Sequence, residues 1–280
     1  MSNKWNLIVD VEECINCYNC AIAVQDEYAD KAHPGYTASM PKHGHRWIDI
    51  KRAERGNFPI VDISFVPTMC NHCDNAPCIE AAKNNAVQKR GDGIVVIDPV
   101  AAKGQQHLVD ACPYGAIWWN EDEQVPQHWN FDAHLMDDGW TEPRCVNVCP
   151  TGALKSIKVS DNEMAKISLA ENLETLKSEL GTKPRVYYKS LNALSKILIA
   201  GCVERDANGR TECAAEVSVS VAQSGESLAE AKTDEFGEFK FDGFEQNSGK
   251  YQLTFSLDGT AQKSVEVELE NASLILDLTI

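Results

Sequence analysis

No run of 18 consecutive apolar residues occurs in this 280-residue chain, so no membrane-spanning helix and no direct membrane insertion are expected. Basic residues are also scarce: 26 against 42 acidic ones leave a formal charge of −16. Nucleic acid and anionic membrane surfaces attract basic patches, so neither is expected as a partner. Met1 to Asp10 contain no apolar signal core and no small-residue cleavage site, which sets the expectation of a cytoplasmic protein unless a partner carries it across a membrane. A phosphate cradle is missing too, since Gly91-Asp92-Gly93 reads as a hairpin turn.

Cysteine is what the chain has in excess. There are eleven, nine of them between Cys14 and Cys149 and mostly grouped, while Cys202 and Cys213 stand apart and read as ordinary reduced cysteines. In a reducing compartment such grouping favours metal ligation over disulfides. Cys14, Cys17 and Cys20 follow C-x2-C-x2-C, a spacing that sets three thiolates around one cubane, the fourth coming from a remote cysteine followed by proline. Cys149, before Pro150, is the obvious remote donor. Cys70, Cys73 and Cys78 form a second loop with a longer last step, and Cys112, before Pro113, matches it. Two [4Fe–4S] clusters are therefore expected. A C-x2-C zinc site competes, but two three-cysteine loops each matched by a Cys-Pro weigh against it. Cys112-Pro-x-Gly-Ala-Ile117 and Cys149-Pro-x-Gly-Ala-Leu154 repeat one element, as ferredoxin-type domains do.

Positions that would complete further clusters are not cysteine. Val24 and Ala82 stand where a fourth cysteine would follow Cys20 and Cys78, and Ala102, Gln105 and Leu108 stand upstream of Cys112. Around these loops, residues 5–11 read as a strand, 17–29 as a helical turn or two, and 31–59 as loop. Residues 86–97 read as a hairpin, 100–110 as a short helix, and 160–181 as an amphipathic helix stopped by Gly181. From about Val203 a two-residue period sets in, at 217–221, 238–241, 251–255 and 265–269, with a last strand at 274–280 and turns such as 206–209. The expected fold is α+β. A double ferredoxin-like domain over 1–159 leads to a helical linker and crossing segment over 160–199. A small all-β sandwich, immunoglobulin-like or transthyretin-like, follows over 200–280.

Further runs carry a likeness: Pro34 to Met40, Gly44-His45-Arg46-Trp47, Asn75-Ala76-Pro77-Cys78, Cys112-Pro113-Tyr114-Gly115, Pro143-Arg144-Cys145 and Gly181 to Lys189. Nearly the whole chain resembles the small iron–sulfur subunits of molybdopterin oxidoreductases of the dimethyl-sulfoxide-reductase type. That resemblance implies two fused ferredoxins carrying a row of clusters, with Cys14, Cys17, Cys20 and Cys149 nearest the pterin and Cys70, Cys73, Cys78 and Cys112 at the far end. The fourth cysteine group departs from the pattern. Its first two members fall at Trp129 and Asp132, only Cys145 remains, and the cross-ligand is Val24. Both middle sites are expected to lack a cluster, with Trp129 and Val24 filling the volume of one.

The resemblance also implies a large catalytic partner holding molybdopterin with molybdenum or tungsten. A relay broken in the middle fits an enzyme with no net electron export, such as a transhydroxylase of hydroxylated aromatic compounds. The alternatives are the electron-transfer subunit of a phenolic-ring hydroxylase with an external acceptor, or a chiefly structural subunit whose clusters stabilise the complex. A free ferredoxin fits less well, because the sandwich and long loops exceed what a carrier needs. No residue here is expected to be catalytic. His43, His45, Arg46 and Trp47 are expected at the interface with the partner, against ordinary packing roles. His33 is given no role, and His72 and His134 are read as structural.

Overall fold

The structure, a computed structural model, describes residues 2–207 and 209–280, so Asn208 of the expected 206–209 turn lies outside the described residues. The chain forms two compact units. The first runs up to Arg52 and resumes over Phe65–Leu191; the second comprises Ala53–Ser64 and Asn192–Ile280.

The first unit opens with β1 (Lys4–Asp10) and α1 (Asn19–Tyr28). The base of a hairpin follows, β2 (Asp49–Asn57) and β3 (Ile60–Thr68), then α2 (Pro77–Ala81) and a short hairpin of β4 (Val87–Lys89) and β5 (Val95–Ile97). Next come β6 (Trp118–Asn120), β7 (Val125–Gln127), α3 (Ala133–Asp137) and α4 (Arg144–Asn147). The unit closes with β8 (Leu154–Val159), α5 (Asp161–Ala170) and β9 (Val186–Lys189). β1 lies between β8, antiparallel, and β9, parallel. Leu7 and Val9 are fully buried on it, so burial fixes the register and aims the chain after Asp10 at the first cysteine loop.

The Cys-Pro element recurs in three dimensions. Gly115 N–H donates to Cys112 C=O at 3.0 Å and Gly152 N–H to Cys149 C=O at 3.3 Å. Both glycines are left-handed, with φ of 64° and 71°, which a side chain would strain.

Three local expectations change. Residues 49–57 are a strand instead of loop, because they pair into the β2–β3 hairpin. Residues 100–110 are turns with a single 3-10 turn over Gln106–Leu108. The helix expected over 160–181 stops at Ala170: Asn172 has φ 51°, Leu173 N–H turns back to Ser168 C=O, and Glu174 exchanges both backbone bonds with Tyr188 of β9 at 2.8 Å. Pairing with β9 also draws residues 160–191, read from sequence mostly as linker, into the first unit.

The second unit contains β10 (Ile197–Ala207), β11 (Arg210–Cys213), β12 (Ser218–Gln223) and β13 (Glu226–Lys232). It continues through β14 (Glu238–Phe244), β15 (Gly249–Leu257), β16 (Thr260–Leu269) and β17 (Leu274–Thr279). One sheet runs β11-β10-β14 with β17 parallel on β10, and the other β13-β12-β15-β16. Ile199, Val203, Phe239 and Phe241 of the first sheet share one apolar core with Val219, Val221, Leu253 and Phe255 of the second, so the unit is a two-sheet sandwich. The hairpin tip joins it through Arg55, which is paired to Asp62 at 2.6 Å and to Asp242 at 2.7 Å.

Candidate metal centres

Cys14, Cys17, Cys20 and Cys149 line one cavity, walled by Ile15, Ile50, Pro67, Ala153 and Leu154. Two left-handed residues, Asn16 at φ 58° and Tyr18 at φ 61°, curl the loop on either side of Cys17. Cys20 then sits in the first turn of α1, and Cys149 arrives from the turn after α4. Burial pushes the Cys14 thiol up, opposed by the Asn16 backbone and reinforced by Cys149 and Cys17. Burial likewise pushes Cys20 up to about 12, with Cys14, Cys17 and Cys149 adding to it.

Cys70, Cys73, Cys78 and Cys112 line a second cavity, walled by Pro77, Val95, Ile97, Tyr114, Ile117 and His128. Burial raises Cys70 well above the ordinary thiol range, and Cys112 and Cys78 add to it. Cys78 is pushed up to about 12 by burial, then by Cys112 and Cys73. In each cavity the thiols are near enough to oppose one another's ionisation. Such a set becomes thiolate only around a cationic core, which fits an iron–sulfur group bound by four cysteines. All eleven cysteines are free of disulfides.

Lys89 places a cation against the second set. Lys89 Nζ donates to the carbonyls of His72 at 2.8 Å and Cys73 at 3.0 Å, and pairs with Asp74 at 2.8 Å. Arg185, almost fully buried, holds Asp74 from the other side through two bonds of 2.6 and 2.8 Å. Sequence reasoning missed this pair. The only signal was their sign in an acidic chain.

The residues read from sequence as degenerate ligand positions are mostly buried. Ala102 and Leu108 are fully buried in one apolar cluster with Ala82, Cys78 and Cys112 alongside. Gln105 closes it: Lys83 N–H donates to its Oε1 at 2.9 Å, and its Nε2 donates to the carbonyls of Lys83 at 3.1 Å and Ala101 at 2.8 Å. At the other position Val24 and Cys145 are buried, and burial holds the Cys145 thiol far up, with Asp132 and Cys20 adding. Asp132 accepts from Tyr28 Oη at 2.8 Å and from Arg144 N–H at 2.7 Å. Trp129 is fully buried, its ring 5.5 Å from His72 and 5.0 Å from Phe131.

Of the four residues expected at an interface, only His43 and Arg46 are exposed. Trp47 packs its ring 4.9 Å from Tyr28 and is buried, and buried His45 donates from Nε2 to the Trp119 carbonyl at 2.9 Å. Both thus pack within the chain, while His43 and Arg46 face outward. Among the described residues no helix is long and apolar enough to cross a membrane.

Two four-thiol cavities carried by repeated Cys-Pro turns are the pattern of a ferredoxin-type iron–sulfur protein. The profile of a family described as 4Fe-4S dicluster domain matches residues 61–159. The chain is 42% identical over 268 residues to the pyrogallol hydroxytransferase small subunit of Pelobacter acidigallici, covering 94% of each. It is 29% identical to a putative dimethyl sulfoxide reductase iron-sulfur subunit of Halobacterium salinarum, covering 66% of this chain and 78% of that one. It is also 29% identical to a tetrathionate reductase subunit of Salmonella typhimurium, covering 68% and 74%. The chain belongs to the family of small iron–sulfur subunits of dimethyl-sulfoxide-reductase-type molybdopterin oxidoreductases, the pyrogallol hydroxytransferase small subunit being a relative along nearly its whole length.

Proposed function

We propose that this chain is the iron–sulfur subunit of a two-chain molybdopterin enzyme acting on hydroxylated aromatic compounds in the manner of a transhydroxylase. It would hold two [4Fe–4S] clusters, on Cys14, Cys17, Cys20 and Cys149 and on Cys70, Cys73, Cys78 and Cys112. Molybdopterin with molybdenum or tungsten would reside in a large catalytic partner. The second unit, read as an immunoglobulin-like or transthyretin-like sandwich, would dock on that partner or stabilise the complex.

The observation that carries this reading is the contrast between four candidate cluster positions. At two of them four thiols converge; at the other two, Ala82, Ala102, Gln105 and Leu108, or Val24, Asp132 and Cys145, offer one thiol between them and are mostly buried. A bound cluster supplies one-electron storage. This chain's part is to hold it in thiolate, exclude water with the apolar cavity walls, and set its potential through Lys89. A row with both middle members missing suits a transfer in which a hydroxyl passes between rings with no net oxidation, so that the substrates themselves restore the starting oxidation state.

The test is anaerobic co-purification with the large chain, with iron, sulfide, molybdenum and tungsten quantified, followed by turnover. About eight irons assigned to this chain, a pterin metal, and turnover without added acceptor are expected. Twelve or more irons on this chain would overturn the truncated row, and an absolute need for an external acceptor would overturn transhydroxylation.

A further inference from the structure

Away from both cysteine cavities, the structure gathers two imidazoles and a carboxylate from three separate pieces of chain. Glu27 lies in the last turn of α1. His33 follows in a loop that its own backbone closes against Thr37, and His134 lies in the first turn of α3. The two imidazoles stack with centroids 3.8 Å apart and planes 34° apart. Glu27 Oε1 is 2.9 Å from His134 Nε2 and 3.7 Å from His33 Nε2. The three donor atoms all lie within 4.8 Å of one another.

Those spacings suit a metal ion. Bonds of about 2.0–2.1 Å in a tetrahedron put ligand atoms roughly 3.3 Å apart, and the two measured lengths bracket that figure. Glu27 is held from behind, because Arg144 bonds its other oxygen and reaches Asp26 at 2.7 Å. A carboxylate oriented this way by an outer partner is what a metal site requires. Local charge permits a dication, since Asp26, Glu27 and Asp132 oppose Arg144 and Lys31. Tyr28 packs edge-on against both imidazoles, at 5.2 and 5.5 Å, and shields one side. The side chains keep 19%, 15% and 11% exposure for His33, Glu27 and His134, so water has access to a remaining position.

We infer that Glu27, His33 and His134 form a binding site for one divalent ion of the zinc class, with water completing the set. Its role is structural: it fastens α1, the 30–40 loop and α3 together. Two imidazoles and one carboxylate are ligands of borderline softness, which favours zinc over magnesium or calcium. The competing arrangement is metal-free, with His134 Nε2 donating to Glu27 and His33 Nε2 at 3.2 Å from the Glu27 carbonyl. The inference does not depend on the function proposed above.

The holoprotein, purified anaerobically with its iron content verified, is stripped of loose metal with a mild chelator and titrated with zinc chloride by calorimetry. Zinc X-ray absorption identifies the ligand atoms. One saturable zinc per chain with nitrogen and oxygen neighbours is expected, weakened at least tenfold in His33→Ala and in His134→Ala. His33→Ala alters a surface loop and keeps the test valid if His134→Ala fails to retain its iron. Absence of saturable zinc, a sulfur-dominated spectrum, or wild-type affinity in His33→Ala would each overturn the inference.

Discussion

Lys89 is the residue whose charge matters most for the second cysteine set. Its ammonium sits against the Cys73 and His72 carbonyls, where burial opposes the charge and Asp74 sustains it. A positive charge this near favours the reduced, more negative cluster. Lys89→Met is therefore expected to lower that cluster's reduction potential by tens of millivolts, leaving the other unchanged, in a redox titration followed by electron paramagnetic resonance. An unchanged potential would show that Asp74 already cancels the charge. His45 makes a different prediction. Burial holds it below its ordinary value of 6.5, with the bond to the Trp119 carbonyl opposing. The unfolded chain thus takes up a proton at higher pH than the folded one. The stabilisation is complete above about pH 6.5 and drains away as pH falls below it, towards the folded value. His45→Gln should flatten that acid side, so denaturant midpoints of variant and wild type converge between about pH 7 and 5.5. Parallel curves would remove His45 from the titration.

At the scale of elements, Gln105 ties the 3-10 turn at Gln106 to the segment that follows α2. Gln105→Ala removes three hydrogen bonds to the backbone of exposed Lys83 and half-buried Ala101, at an expected cost of about 1–2 kcal/mol. Unfolding by denaturant, with iron content unchanged, reads this directly. Cysteine spacing was enough to divide the thiols into the two groups that line the two cavities, because ligand loops are local in sequence and each Cys-Pro turn announces its partner. The alternation at 217–221 and 251–255 likewise exposed the strands β12 and β15. What stayed hidden depends on distant partners. β2 reads as loop because its Lys51, Arg52 and Arg55 acquire their meaning from a hairpin and from Asp242. The helix after Ser160 reads too long because β9, which draws Glu174 away, follows later in the chain. Tyr28, which donates to Asn130 and Asp132, carried no spacing signal at all.

For the whole molecule, the discontinuous second unit has consequences for stability. Arg55 holds Asp62 and Asp242 together, and Lys240 adds to Asp62 at 2.5 Å. Breaking a fully buried pair costs about 3–5 kcal/mol, and the partial exposure of both aspartates reduces that to about 2 kcal/mol for Arg55→Ala. Selective loss of the β signal at lower denaturant, with cluster absorbance retained, is expected. Simultaneous loss of both would mean the two units unfold as one. The same arrangement sets a schedule during synthesis. The hairpin leaves the ribosome early, yet Asp242 lies 187 residues beyond Arg55. At about 5–20 residues per second the guanidinium waits on the order of 10 to 40 seconds for its partner. Phe58, Val61 and Ile63 on that hairpin remain exposed in the finished fold as well, so what Asp242 relieves when it arrives is the unfinished pairing of Arg55 and not an apolar surface.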